Sequence, residues 1–216
     1  MLIKAKDPIS WLTHFIGLIL SVLSTPLILG KAIYNNIGLT FTIAILIFML
    51  NMMILYAASS IYHYFNISEK INLILKRIDH CSIFLLIAGT YTPVCVIALG
   101  TKGYGLLVAV WLLAIAGIIF KLLWVTCPKW LSSIMYIGLG WLVIFNMSSL
   151  IDALSIAQFI WLLIGGLFYT IGGVIYALKP KLFKKEDLTG FGNHELFHIF
   201  VMLGTACHFI CCMLLV

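Results

Sequence analysis

Charged residues are scarce in this sequence, and their scarcity excludes an ordinary water-soluble domain. They make up 9% of the 216 residues, whereas 63% are hydrophobic. Soluble domains carry about 25% charged residues, and the mean hydropathy here is +1.17. We therefore expect a polytopic membrane protein.

The sequence also lacks internal repeats, long hydrophilic linkers and paired-cysteine motifs. Its six cysteines lie mostly within apolar runs and show no C-x-x-C spacing. This pattern predicts small buried hydrophobic side chains rather than a disulfide or thiolate-metal framework. The first apolar run is longer than a signal-peptide core and has no small-residue cleavage site near its end, so we interpret it as a retained span. We expect one integral-membrane domain over residues 1–216.

Seven apolar runs are each long enough to cross a hydrocarbon core of roughly 30 Å. They cover approximately residues 11–34, 40–65, 78–99, 104–125, 131–151, 156–178 and 192–215. Pro26 and Pro93 fall within the first and third runs, where membrane helices tolerate a local kink. The predicted fold is an all-α bundle of seven transmembrane helices.

The distribution of cations predicts how this bundle is oriented. With seven spans, eleven of the thirteen Lys and Arg residues lie on the side of the N-terminus, and only Lys31 and Lys102 lie on the other. The positive-inside rule then places the N-terminus in the cytoplasm and the C-terminus outside. Juxtamembrane lysines facing anionic lipids also account for the basic pI of about 9.0, so we expect no nucleic-acid partner.

Three histidines meet at one depth of this predicted bundle. His63 ends the second span, and His194 and His198, one helical turn apart, begin the seventh on the same side. Three neutral imidazoles match the ligand set of a catalytic Zn²⁺ site and leave its fourth position open. His208 lies about 15 Å beyond His198 along a helix, too far to bind the same ion, and we expect a satisfied residue within the bundle. His14 lies at the inner end of the first span and could approach this group, but it has no partner motif and is interpreted as an interfacial residue.

Two further polar residues are candidates for catalytic roles beside the metal. Asp79 opens the third span from the same side and could exchange a proton with water. Ser59 lies one turn before His63 and could orient an imidazole or a substrate oxygen. The structural alternatives are a helix-start carboxylate or an ion pair with Arg77 for Asp79, and a hydroxyl bonded to its own helix for Ser59.

The string His194-Glu195-x-x-His198 also matches the H-E-x-x-H pattern of zinc peptidases, in which the glutamate is the general base. A peptidase of this type needs another carboxylate ligand, and Asp152 is predicted on the opposite side of the membrane. Glu195 is equally typical of a first-turn carboxylate at a helix N-terminus. The peptidase interpretation therefore stays open as an alternative.

Three motifs in this order resemble the signature of the hemolysin III family, which belongs with the progestin and adipoQ receptors. They are Ser59-x-x-x-His63, the continuous stretch Arg77–Pro93, and His194-x-x-x-His198. The resemblance covers nearly the whole chain. It implies a seven-helix bundle with a cytoplasmic N-terminus and a zinc ion held by the three histidines. It also implies that Asp79 holds a water on that ion and that Ser59 is the motif serine. Adiponectin receptors generally lack a glutamate at the place of Glu195.

The resemblance implies several functions. Adiponectin receptors and the distantly similar alkaline ceramidases imply zinc-dependent hydrolysis of a membrane lipid amide and a role in lipid homeostasis at the cell membrane. The bacterial branch, which the short chain resembles, also implies a non-enzymatic regulator of membrane composition, or a receptor, with a structural zinc. A pore-forming hemolysin is suggested by the family name alone, because the sequence offers no amphipathic segment that converts from soluble to inserted.

Overall fold

The described part of the chain is helical. The computed structural model describes residues 5–180 and 191–216, which contain helices and turns but no strand. Within them the α-helices are α1 (Pro8–Tyr34), α2 (Leu39–Tyr64), α3 (Glu69–Pro93), α4 (Tyr104–Leu123), α5 (Lys129–Gly140), α6 (Met147–Ala153), α7 (Ile156–Leu178) and α8 (Asn193–Leu215). A π-helix at Val94–Leu99 and 3-10 helices at Gly100–Gly103 and Trp141–Asn146 connect some of them.

Six helical stretches of the described residues are long and apolar enough to cross a membrane. They are α1, α2, Glu69–Leu123, Lys129–Ala153, α7 and α8. The leucine and isoleucine side chains on their outer faces are widely exposed, as Leu27 (66%) and Leu112 (62%) illustrate. Apolar surface of this extent is compatible with lipid rather than water. The chain is a multi-pass membrane protein.

The stretch Glu69–Leu123 folds back on itself. Its 55 residues would extend about 80 Å as a straight helix, far more than a bilayer core of about 30 Å. Instead α3 packs against α4. The chain reverses through the π-helix and 3-10 helix, where Gly100 has a φ of 54°, a backbone conformation that favours glycine.

α3 begins earlier than the apolar run predicted. It starts at Glu69 rather than near residue 78 because the hydroxyl of Ser68 caps it by accepting the backbone N–H of Ile71 at 3.3 Å. The first helical turns of α3 are therefore charged, and Asp79 lies within the helix rather than at its start. The structural alternative of Asp79 as a helix-start carboxylate is wrong for this reason.

The run predicted at 131–151 is not one regular helix. α5 ends at Gly140, and the 3-10 helix Trp141–Asn146 separates it from α6. The hydroxyl of Tyr91 compensates the interruption, because it donates to the carbonyls of Leu139 and Gly140 and accepts the N–H of Val143 at 3.0 Å. Irregular backbone at membrane depth needs such internal partners.

The helices form a closed ring. α1 packs on α2, α2 on α3, α3 on α5, α5 on α7, α7 on α8, and α8 returns to α1, while α4 packs outside against α3 and α5. The ring encloses a cavity of about 170 Å³ lined by every α-helix except α4. All six cysteines are buried and free, which confirms their expected role as small buried side chains.

Candidate metal centre

Three histidines from two helices lie together at one end of the ring. His63 is in the last turn of α2, and His194 and His198 are in the first turns of α8. One ring nitrogen of each lies within 4.8 Å of the others, and the Nε2 atoms of His63 and His194 are 3.2 Å apart. His63 and His198 are each only 2% exposed. The structure therefore brings together the three residues that the sequence suggested as ligands.

Hydrogen bonds fix which nitrogen two of these rings present. The Nδ1 of His63 lies 2.9 Å from a carboxylate oxygen of Asp7, and the Nδ1 of His198 lies 3.2 Å from the carbonyl oxygen of Ser10. Both partners can only accept when the carboxylate is ionised, so each Nδ1 carries a hydrogen, and in the neutral ring that a metal requires the lone pair is then on Nε2. A carboxylate or carbonyl behind a ligating histidine is the usual support of a metal site.

The donor set is of a kind that can hold a metal ion, and its spacing can be compared with that of a zinc site. Zinc takes imidazole nitrogens at about 2.0–2.1 Å in a tetrahedron, which places two such nitrogens about 3.3 Å apart. The 3.2 Å between the Nε2 atoms of His63 and His194 agrees with this spacing. Three neutral imidazoles also leave one coordination position for water or substrate.

Asp7 was not anticipated from the sequence. It precedes the first turn of α1, and its backbone N–H donates to the carbonyl of His63 at 2.9 Å, while Lys6 N–H donates to the carbonyl of Tyr64 at 3.1 Å. The hydrogen bond with His63 lowers the pKa of Asp7 below its ordinary value, against the opposing effect of burial. An ionised carboxylate therefore stands behind His63 at neutral pH.

His14 was expected at the interface, and that expectation is wrong. It is 3% exposed, and its ring stacks on His198 with 3.7 Å between centroids and an interplanar angle of 6°. The rings of His14 and Tyr56 form a T-shaped contact with 5.2 Å between their centroids. Neither ring nitrogen has a hydrogen-bond partner among the described residues. The i, i+4 spacing of Ser10 and His14 on α1 is the one sequence signal that could have placed both beside His198.

Asp79 and Ser59 lie next to the three histidines and line the cavity. Asp79 is 9% exposed and Ser59 is 1% exposed. The Asp79 carboxylate interacts electrostatically with His63 and faces the Ser59 hydroxyl, but that hydroxyl makes no well-formed hydrogen bond within the described chain. Arg77 forms no salt bridge with Asp79 in the same residues. Both candidate residues are thus buried beside the histidines.

Glu195 has a different environment. One carboxylate oxygen accepts the hydroxyl of Ser10 at 2.6 Å, and the other accepts the backbone N–H of Gly192 at 2.9 Å. Glu195 therefore caps α8 and ties it to α1. A carboxylate with both oxygens occupied in this way is not favoured as a general base.

The cavity extends away from the histidines as an apolar channel. Asp79, Ser59, His194 and His198 line one end, and Val94, Met147 and Leu150 line the other. Asp79 and Val94 are about 22 Å apart along α3 at 1.5 Å per residue. The side chains between them are chiefly leucine, isoleucine, valine and aromatic residues.

His208 lies part-way along this channel and outside the metal group. Its ring stacks on Tyr169 with 5.3 Å between centroids. Its Nε2 is buried and has no hydrogen-bond partner among the described residues, so the expectation of a fully satisfied histidine is wrong for that nitrogen. His80, next to Asp79, also lines the cavity, and the hydroxyl of Tyr136 donates to its backbone carbonyl at 3.2 Å.

Comparison with known proteins identifies the family. The family model "Haemolysin-III related" matches residues 3–209. The chain belongs to the haemolysin-III-related family. It is 38% identical to the "Hemolysin-3 homolog" of Bacillus subtilis (strain 168) over 203 residues, which cover 93% of this chain and 89% of that protein. It is 34% identical to "Hemolysin-3" of Bacillus cereus over 201 residues, 93% of this chain and 87% of that protein.

A shorter similarity connects this haemolysin-III-related protein with a eukaryotic receptor. The "ADIPOR-like receptor IZH2" of Saccharomyces cerevisiae is 39% identical over 54 residues, 24% of this chain and 17% of that protein. The family resemblance drawn from the three motifs is thereby confirmed. The relation to adiponectin receptors is local in extent.

Proposed function

We propose that this haemolysin-III-related protein is a zinc-dependent hydrolase that cleaves a lipid amide within the membrane and contributes to membrane lipid homeostasis. The observation that carries the proposal is the position of the three histidines. They stand at the polar end of an apolar cavity, next to a buried carboxylate and a buried hydroxyl. An apolar channel with a few convergent polar groups at its end is typical of a site for a lipid chain.

The proposed topology has seven crossings. It counts the folded-back stretch Glu69–Leu123 as two and the other five apolar stretches as one each. The excess of cations on the side of the N-terminus supports a cytoplasmic N-terminus, an external C-terminus, and a metal centre near the cytoplasmic leaflet. The membrane is proposed to be the cell membrane, and residues 1–216 to form one domain.

Zinc is the proposed metal, held by His63, His194 and His198. When bound, it would polarise a substrate carbonyl and lower the pKa of a bound water to about 7. The three imidazoles are neutral donors, so the ion keeps its positive charge. Asp7 and the Ser10 carbonyl hold two of the rings in the required orientation.

Residues of the chain itself would transfer the proton and bind the substrate during amide hydrolysis. Asp79 would accept the proton of the attacking water and return it to the leaving amine, which a buried carboxylate beside the site can do. Ser59 would donate a hydrogen bond to a substrate oxygen, since its hydroxyl has no other well-formed partner. The apolar channel would hold the acyl chain and exclude bulk water from the reacting carbonyl.

A non-enzymatic regulator or receptor with a structural zinc is the second candidate. One observation favours it, because the three ligands and their partners join α1, α2 and α8 at one point. A metal in that position would stabilise the ring without any reaction. The H-E-x-x-H peptidase loses support because both oxygens of Glu195 are occupied. Haemolysis, which the names of the relatives suggest, has no specific observation in its favour in the described residues.

Two isosteric substitutions test the proposed hydrolase. Purified protein in lipid nanodiscs would be given a panel of N-acyl lipids, including ceramides, and released fatty acid would be measured by mass spectrometry. Asp79→Asn should keep the metal, and its hydrolysis rate should fall about 10²–10⁴-fold. Glu195→Gln should keep close to the wild-type hydrolysis rate. The inverted pattern would favour the peptidase-type assignment of the base. Full biological activity of both variants with metal bound would favour the structural-zinc regulator.

A further inference from the structure

Two glycines line the apolar channel at positions where a side chain would have free space. Gly140 is the last residue of α5, and Gly166 lies in the middle of α7. Both line the cavity. A Cβ added at either position would meet nothing within 4 Å among the described residues. We call Gly140 and Gly166 the channel glycines.

Both channel glycines lie on the helix faces that form the channel wall. The residues three and four positions away on the same helices also line the cavity, namely Tyr136, Ile137, Leu162, Leu163, Tyr169 and Thr170. Residues with this spacing share one face of a helix. A larger side chain at Gly140 or Gly166 would therefore project into the channel.

Neither close packing nor backbone geometry requires a glycine at these two positions. At Gly165, in contrast, a Cβ would lie 2.5 Å from the ring of His208. A positive φ occurs at Gly38 and Gly100 among the described glycines, but not at the channel glycines. The absence of a side chain at Gly140 and Gly166 therefore contributes width to the channel.

The channel glycines lie at nearly the same level. The indole N–H of Trp141, the residue after Gly140, donates to the hydroxyl of Thr170 at 2.9 Å. That hydroxyl in turn donates to the carbonyl oxygen of Gly166 at 2.7 Å. Side chains added at the two positions would therefore obstruct the channel at one place.

This place is part-way along the channel. Gly172 marks the level of the histidines on α7, because a Cβ there would lie 3.4 Å from the ring of Phe197, the residue before His198. Gly166 is six residues from Gly172, or about 9 Å along the helix. The whole channel is longer, since Asp79 and Val94 at its two ends are about 22 Å apart along α3.

These lengths can be converted into acyl carbons. An extended chain advances about 1.2 Å per bond, as an extended polypeptide does over its three bonds per residue. About 7 bonds then reach from the histidines to the channel glycines, and about 18 bonds reach the far end. At that end the side chains of Val94 and Leu150 are buried, with 4% and 1% exposure.

We propose that the channel binds an acyl chain of about 16–18 carbons, and that the channel glycines determine this specificity by letting the chain pass their level. The carbonyl end of the chain would lie at the histidines, and its last methylenes would lie against Val94 and Leu150. This assignment rests on the proposed function for the reaction, and it names the class of acyl chain that the lipid carries.

Chain binding can be measured without turnover, using fatty acids, which carry the same acyl chain as the proposed substrate. Full-length protein on an affinity resin in detergent would be incubated with an equimolar mixture of saturated fatty acids of every even length from octanoic to eicosanoic acid. The retained acids would be quantified by mass spectrometry after subtraction of protein-free resin. Wild type should retain hexadecanoic and octadecanoic acids best, because each further methylene within the channel buries apolar surface.

Substitutions at the channel glycines should shift this profile to shorter chains. Gly140→Leu and Gly166→Leu should each lower the retained hexadecanoic and octadecanoic acids about tenfold. Retention of octanoic acid, which ends near the level of the glycines, should stay close to that of wild type. The two positions lie on different helices, so one variant that folds and elutes as wild type is sufficient for the test.

Gly138→Leu is the matched control. Gly138 is also on α5 and also has nothing within 4 Å of an added Cβ, but it is exposed and does not line the cavity. Its retained profile should equal that of wild type. An unchanged profile in both channel variants, the same shift in Gly138→Leu, or no retention by wild type would overturn the assignment. Chain selectivity that the channel variants lose, in a protein without hydrolysis, would support the assignment and count against the hydrolase. Hydrolysis without any effect of the channel variants on chain length would do the reverse.

Discussion

Removing the carboxylate of Asp7 should weaken metal binding although Asp7 is not a proposed ligand. The perturbation is Asp7→Ala, which deletes the acceptor 2.9 Å from the Nδ1 of His63. Loss of such a partner behind a ligating histidine costs about 10–100-fold in metal affinity, equivalent to about 1.4–2.7 kcal/mol. Because the Asp7 side chain is 42% exposed, solvent screens its charge, and we expect the lower end, about tenfold.

The assay is zinc competition against a fluorescent chelator with purified protein at pH 7. The pKa of Asp7 is lowered in the folded protein. The support that the ionised carboxylate gives to His63 is therefore fully present above a pH of about 3.9, the ordinary pKa of aspartate. It is lost as the pH falls through the lowered pKa. Neutral pH therefore reports the whole effect. Asp7→Asn should lose less than Asp7→Ala, since the amide oxygen can still accept the Nδ1–H.

Asp152→Ala is the matched control, because it removes an exposed carboxylate from α6, outside the residues that line the cavity. It should bind zinc as tightly as wild type. Unchanged affinity in Asp7→Ala would refute the reasoning that the first residues of the described chain orient His63. An equal loss in Asp152→Ala would indicate a general effect of net charge instead.

Two further predictions concern packing and orientation. A Cβ added at Gly165 would lie 2.5 Å from the His208 ring, whereas one added at Gly166 would meet nothing within 4 Å. Gly165→Ala should therefore lower the free energy of unfolding by about 1–3 kcal/mol. Gly166→Ala should be neutral or slightly stabilising in thermal melts. Equal melting temperatures for the two variants would contradict this contact. A reporter enzyme fused after Val216 should be active only outside the cell, and a cytoplasmic signal would reverse the proposed topology.

The sequence predicted the parts of this protein that periodicity and composition determine. Low charge and long apolar runs identified the membrane class, and the spacing of His194 and His198 placed two imidazoles on one face of a helix. The three motifs identified the family. The proximity of His63 to the other two histidines required a topology, and the count of seven apolar runs suggested one, because it puts the end of the second run and the start of the seventh on the same side.

The features that the sequence did not predict depend on contacts between distant residues. In the sequence, Asp7 is a polar residue before a predicted helix. The local sequence gives no sign that its carboxylate contacts a histidine 56 positions later. His14 lies in an apolar run. The local sequence looks the same whether such a histidine is buried against His198 or exposed to lipid head groups. The break after Gly140 depends on Tyr91, whose hydroxyl supplies partners that no local rule could anticipate.

The central claim is that three histidines hold one zinc ion, and elemental analysis of purified protein tests it most directly. Wild type should contain one zinc per chain. His63→Ala, His194→Ala and His198→Ala should each lose it, because each removes one of three protein ligands, while His208→Ala should keep it. Wild-type protein without zinc, or zinc undiminished in the three ligand variants, would contradict the account.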